Sequence, residues 1–341
     1  MQLRNVVRKA CFGLLLLSLS SAALAQYKLT NLVSNQVKWA HHTDPFMVNG
    51  WGLTYGPGGP FWVSDNGSGW STLYDAQGNR KSLIVEVASA GDAGPGTPTG
   101  IVFNGSQDFQ VEGWASIFIF ATLDGTISGW APQSNLHNTI IAVDTSKNTN
   151  PSVYTGLAVT SKSSGNTLFA ADAANGKVDI YDATFKLLGS FTDPNVPSGF
   201  VPFNVQDIDG QVYVMFADGK GGPGGVVDIF SEAGVWQKTL ISGAPLNQPW
   251  GIAAAPRNFG PLSNTILVAN NTNNGTINAF NAVTGAFVGT LRDTENKQIH
   301  IDQLWGITFG GGAAADGATN QLFFAAGPSG NLAGTFGVIA F

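Results

Sequence analysis

Few residues in this chain can do chemistry, and the most distinctive of them interrupt a repeat. Six segments share one pattern: Trp51-Gly52-Leu53, Thr99-Gly100-Ile101, Thr155-Gly156-Leu157, Phe203-Asn204-Val205, Trp250-Gly251-Ile252 and Trp305-Gly306-Ile307. In the fourth, Asn204-Val205-Gln206-Asp207 replaces the Gly-centred apolar sequence. Amide and carboxylate oxygens of this kind suit Ca²⁺ or another divalent cation, and Asn204, Asp207 and Asp302 are the candidate metal ligands. The same groups could instead bond channel water and backbone, since buried polar groups need partners in any case. Trp51, Trp250 and Trp305 precede the same glycine in three repeats. Exposed, they would offer faces for a sugar or aromatic ligand; buried, they would pack between repeats. Together with Asn204, Gln206 and Gln303 they form the candidate ligand-binding set.

Other candidates are weaker. His41 and His42 precede the first repeat and His300 precedes the sixth, so a closed structure could bring them together as a metal or acid–base cluster. Asp65, Asp124, Asp172 and Asp218 each lie before Asn, Gly or Ala in turn-like sequence, where a carboxylate caps nearby N–H groups. Asp218 to Gly225 is rich in glycine but lacks the Gly-Lys-Ser/Thr of a phosphate-binding loop. Cys11 is the sole cysteine and falls in the N-terminal apolar run, so thiol catalysis is excluded once that run is removed. No residue stands out as catalytic.

The elements that must position these residues are short strands. The first unit reads as Gly52 to Tyr55, Phe61 to Ser64, Ser71 to Tyr74 and Ser82 to Val87, separated by Gly-, Asn- and Pro-rich turns. The third and fifth units repeat this meander. No window keeps a helical apolar period for more than about two turns. A four-stranded unit returning about every fifty residues cannot bury both faces alone, so it must stack on its neighbours. The expectation is an all-β fold: a six-bladed β-propeller of four-stranded antiparallel blades. The last unit has only three strands of its own, and Tyr27 to Val33 belongs to no complete blade. That N-terminal strand is therefore expected to join the last blade and close the ring. Ligands are expected where the loops leading into the innermost strands cluster at one end of the central channel.

Residues 1–25 carry Arg4, Arg8 and Lys9, an apolar run and Ala23-Leu24-Ala25, the pattern of a signal peptide, leaving 26–341 as one propeller domain. Removing the leader takes three of the 16 basic residues and none of the 22 acidic ones, for a net charge near −9. An acidic chain without clustered cations is a poor partner for nucleic acid. The expectation is a secreted protein, periplasmic or extracellular, with no membrane span after leader removal.

Several phrases carry a family resemblance. Asn49-Gly50-Trp51-Gly52-Leu53, Gly59-Pro60-Phe61-Trp62-Val63-Ser64-Asp65-Asn66, Gly96 to Gly105, Asp124-Gly125-Thr126-Ile127-Ser128-Gly129-Trp130, Gly225 to Phe230 and Leu246-Asn247-Gln248-Pro249-Trp250-Gly251-Ile252 resemble a family of uncharacterised secreted bacterial six-bladed β-propellers. The resemblance spans essentially the whole mature chain. It implies bacterial export and the propeller fold, and brings no catalytic residues. More distantly, the chain is similar to NHL-type and gluconolactonase-like propellers, and the latter similarity implies a divalent cation in the channel. Those lactonases use a Glu ligand, whereas Glu86, Glu112, Glu232 and Glu295 all lie outside the expected inner strands. Two functions follow as expectations. One is a binding or interaction propeller for an extracellular glycan, small polar molecule or protein. The other is a metal-dependent hydrolase or lyase, lactonase-like, that uses a cation in the channel.

Overall fold

A computed structural model describes residues 27–92, 94–160 and 165–341. The signal peptide expected over 1–25 lies outside the described residues.

The chain forms a six-bladed β-propeller. The innermost strands of the six sheets are Gly50–Tyr55, Pro98–Phe103, Tyr154–Thr160, Phe200–Ile208, Pro249–Ala254 and Leu304–Phe309, and each packs against the inner strands on either side. The first five sheets each run outward through four antiparallel strands in chain order, the second with a small hairpin, Gln110–Val111 and Trp114–Ala115, inserted after its inner strand. In the sixth, Leu304–Phe309, Gln321–Ala326 and Thr335–Ala340 are joined on the outside by Lys28–Ser34, with Leu29 opposite Ile339 and Ser34 opposite Thr335. The two-residue strand His42–Thr43 runs parallel along that outer edge. Tyr27 anchors the start of the strand, its hydroxyl donating to Phe259 O at 2.7 Å.

The second strands explain why the sequence alternates so little. Each is sandwiched between blades, so both faces of the strand are apolar although successive side chains still point in opposite directions. In Thr167–Asp172, Leu168 and Ala170 pack with Ile119 and Ala121 of the preceding blade. Phe169 and Ala171 pack with Val214 and Phe216 of the following one. The outer strands are wetter: Leu187–Phe191 is exposed along nearly its whole length. The repeated glycine marks the closest approach of neighbouring inner strands. A Cβ at Gly52 would collide with Thr99 O, and one at Gly251 with Trp305 O.

The fourth blade departs from the others at its inner hairpin. Its first two strands, Phe200–Ile208 and Gln211–Asp218, are joined only by Asp209 and Gly210, both at positive φ (53° and 77°). That is the backbone of a two-residue hairpin turn, whose twist matches the strands it joins. The inner hairpin is thus long, and it carries Gln206, Asp207 and Asp209 at the channel's edge.

Candidate functional site

The channel axis has two unlike ends, and the indoles set the difference. Two residues before each Trp stands an amide residue in the left-handed region: Asn49 (φ 50°), Gln248 (φ 52°) and Gln303 (φ 50°). A non-glycine residue there costs about 1–2 kcal/mol. The surrounding bonds hold it: the carbonyls of Asn49, Gln248 and Gln303 accept from Asn66 N, Asn271 N and Gly327 N. The bend sends all three indoles to the axis. Trp51 and Trp305 meet edge to face with centroids 4.0 Å apart, Trp250 and Trp305 likewise at 5.9 Å, and Trp51 stacks with Trp250 at 6.4 Å. Leu123 and Phe203 pack against the cluster. Trp51, Trp250 and Trp305 are 6%, 4% and 3% exposed, so they close this end and present no open aromatic ring. Trp250 Nε1 donates to Thr155 O (2.9 Å) and Trp305 Nε1 to Asn49 Oδ1 (3.1 Å); Trp51 Nε1 has no acceptor.

Asn204 is part of this closure. It is buried, its Nδ2 donates to Trp250 O at 2.8 Å, and its Oδ1 fills the space beside Gly156, where a Cβ would collide with it. One side chain thus bridges the third and fifth blades from the fourth. The break in the repeat that suggested a ligand site is, at this residue, a structural tie.

The opposite end is open. A cavity of about 460 Å³ is lined by the last residues of all six inner strands. Leu53, Ile101, Ile252 and Ile307 form its apolar wall. Tyr55, Phe103 and Phe309, from the first, second and sixth blades, stand on one side; Gln206, Asp207 and Asp209 of the fourth blade stand across the ring. Burial, and then the charge of Asp316, raise the Tyr55 phenol above its usual range, and its hydroxyl donates to Phe309 O at 2.9 Å. The phenol is therefore fixed as a neutral wall. A narrow space of about 30 Å³ continues inward past Leu157, Asn204 and Gln206, about the room one water occupies in the liquid.

The remaining candidates fall elsewhere. Gln303 lies with the indole end, its Nε2 donating to Asn273 Oδ1 at 2.6 Å. Asp302 lines a separate cavity of about 140 Å³ at the ring's closure, with Trp39 and His300. Asn204, Asp207 and Asp302 therefore do not line a common cavity: Asn204 lies at the inner narrowing, Asp207 at the open mouth and Asp302 at the seam. His41 and His42 lie on the exposed turn and strand beyond Ser34, outside the cavity that holds His300. Among the described residues, no three His, Cys, Asp or Glu side chains are grouped to hold a metal ion, and no helix is long and apolar enough to cross a membrane. The capping of nearby N–H groups holds for Asp124, Asp172 and Asp218, as where Asp172 Oδ1 accepts from Val153 N (3.1 Å) and Asn175 N (3.3 Å), whereas Asp65 is fully buried with Oδ2 accepting from the Thr72 hydroxyl at 2.6 Å. Sequence reasoning missed Tyr55, Phe103, Phe309 and Asp209. The signal was present, since the first three stand at the same place, three residues after the repeated glycine.

Known proteins support the propeller fold. An uncharacterised protein of Acanthamoeba polyphaga mimivirus is 28% identical, over 93% of this chain and 81% of its own length. A second protein of that virus is 33% identical over 62% of this chain, a region spanning 42% of the relative. These relatives are viral, where the motifs resembled a bacterial family; the bacterial family and origin gain no support. No family profile matches the chain. Among solved structures, virginiamycin B lyase from Staphylococcus aureus is similar with a TM-score of 0.57 and 11% identity, over 93% of this chain and 100% of the lyase. A luciferin-regenerating enzyme is similar with a TM-score of 0.53 and 13% identity, over 87% of this chain and 92% of the enzyme. At such identities the likeness is one of fold.

Proposed function

We propose that this is an exported binding propeller that takes a small amphipathic ligand in the open mouth of its channel. The observation that carries this reading is the cavity's two-sidedness: aromatic residues of three adjacent blades line one side, and an amide and two carboxyls of the blade across the ring line the other. Rings supply a flat apolar surface, and the fourth-blade oxygens accept hydrogen bonds from hydroxyl or amine groups. A single sugar ring of an extracellular glycan has both faces, as does a hydroxylated aromatic. The ligand site thus lies at the end opposite the one expected from the loops, because the indoles occupy the latter.

Among the described residues that line it, the mouth has no His, Lys, Cys or Glu, and Asp207, Asp209 and the neutral Tyr55 are its ionisable acids. That favours binding over catalysis. The similar folds bearing lyase names prompt the alternative of a metal-dependent hydrolase or lyase, and one set of measurements separates the two. Monosaccharides and hydroxylated aromatics are titrated calorimetrically into wild type, Gln206→Ala and Asp209→Asn, alongside elemental analysis of protein never exposed to chelator. Binding that weakens about tenfold in either variant, as loss of one hydrogen bond to a buried or charged partner would give, supports the proposal. Ligand affinity indifferent to both variants refutes it. Stoichiometric metal lost on Asp207→Ala, with turnover, would replace it by the enzyme reading.

A further inference from the structure

The cavity at the ring's closure is separate from the channel and differs from it in chemistry. Leu29 and Asn31 of the N-terminal strand, Ile301 and Asp302 before the sixth inner strand, and Pro328 after the second strand of that blade contribute to its wall. Trp39 and His300 complete it. Trp39 is 48% exposed, a large apolar surface to leave in water at a position the chain takes trouble to fix. Lys38 beside it takes φ 72°, and Asn31 Nδ2 donates to Trp39 O at 3.3 Å.

Asp302 is the second unusual feature. Its Oδ2 accepts from Ser329 N at 2.8 Å, but Oδ1 is shielded from water and has no hydrogen-bond partner. No Lys or Arg among the described residues forms an ion pair with it. A shielded carboxylate oxygen without a donor is costly unless something positive sits beside it. His300 does not supply a donor through Nδ1, which lies 3.2 Å from Asn274 O; a carbonyl only accepts, so Nδ1 carries the hydrogen and donates there.

We infer that this cavity is a binding site for a methylated ammonium group, with Trp39 as the aromatic plate and Asp302 as the counter-charge. A cation over an indole face beside a carboxylate is a recognised pairing, strengthened where water is displaced. The apolar walls select methyl groups over an ammonium ion that must place three N–H donors. A bare divalent cation is a poor fit, because Ca²⁺ takes six to eight oxygens and Asp302 is the one carboxylate among the described residues that line this cavity. About 140 Å³, the liquid volume of roughly four or five waters, holds a trimethylammonium head while its tail leaves past Trp39.

The test titrates full-length mature protein with choline and with 3,3-dimethyl-1-butanol, its neutral carbon isostere, following heat and tryptophan fluorescence. Choline is expected to bind at least about tenfold more tightly than the isostere. Asp302→Asn and Trp39→Ala should each weaken choline about tenfold or more, with Trp39→Phe intermediate, while Gln206→Ala at the channel mouth leaves it unchanged. Melting curves establish that each variant is folded, and Asp302→Asn and Trp39→Phe preserve shape should Trp39→Ala fail. Equal affinity for the isostere, no binding of choline at about 10 mM, or affinity untouched in Asp302→Asn overturns the assignment.

Discussion

Replacing Asp228 by Asn should stabilise the protein at pH 8 and change little at pH 4. Asp228 lies in the third strand of the fourth blade, fully buried, opposite Val214 on one side and Thr239 on the other. Neither carboxyl oxygen has a hydrogen-bond partner of good geometry. Asp193, on the segment arriving from the third blade, is 2% exposed and has Oδ1 committed to Asn195 N and Nδ2, both at 2.8 Å. Burial first, and then the neighbouring Asp193, push the Asp228 carboxyl from 3.8 up to about 7 against a lowering by Thr239. The folded state thus prefers the protonated form. Its contribution is fully present below about pH 4, where the unfolded chain is protonated too, and is lost as pH rises towards 7. Roughly three units at 1.36 kcal/mol each set an upper bound of about 4 kcal/mol. Asn keeps the shape and carries no charge, so the variant escapes this loss. Urea midpoints measured from pH 4 to 8 for both proteins give the difference directly. It should be near zero at pH 4, grow through pH 5 and 6, and level off at about 2–4 kcal/mol above pH 7. Asp65 is also pushed up by burial, so both proteins lose some stability as pH rises; the difference isolates Asp228. A difference that stays flat with pH, or a variant weaker at pH 8, would refute the reasoning.

Further outcomes concern the contact of the third and fourth inner strands and the closure of the ring. Gly156→Ala should destabilise by about 1–3 kcal/mol because its Cβ collides with Asn204 Oδ1. Asn204→Gly should lose about 1 kcal/mol with its bond to Trp250 O but remove the side-chain part of that collision, leaving the part with Asn204 Cα, so the double variant should lose less than the sum in a denaturation cycle; strict additivity would show that the Asn204 side chain does not carry the collision. Deleting residues 27–33 should strip the sixth blade of its outer strand and the Tyr27 contact to Phe259, lowering the thermal midpoint of the whole protein. An unchanged midpoint would mean that strand adds nothing to closure.

Much of the fold was legible because backbone proximity dictates residue type. Only glycine fits where Gly52 meets Thr99, so the contact between inner strands is written as a repeat. Strands covered on both faces, such as Thr167–Asp172, are apolar without alternation, which marks them as second strands between blades. The site was less legible. Periodicity places Trp51, Trp250 and Trp305 at one height but does not report how near the axis they come. Their convergence depends on the left-handed Asn49, Gln248 and Gln303, whose role is visible only as an amide two places ahead of Trp. Asn204 holds Trp250 O and lies against Gly156, a packing role that its residue type alone does not announce. Tyr55, Phe103 and Phe309 could have been found by aligning the third residue after each glycine, a comparison across blades that no single strand suggests.

The indole cluster makes the channel a blind vessel. A molecule that entered past the fourth-blade hairpin would have to leave by the same way, so occupancy would be governed at one doorway. Opening the far end by trimming one indole would turn a dead end into a conduit, and exchange rates would then rise at both ends without any change at the doorway itself.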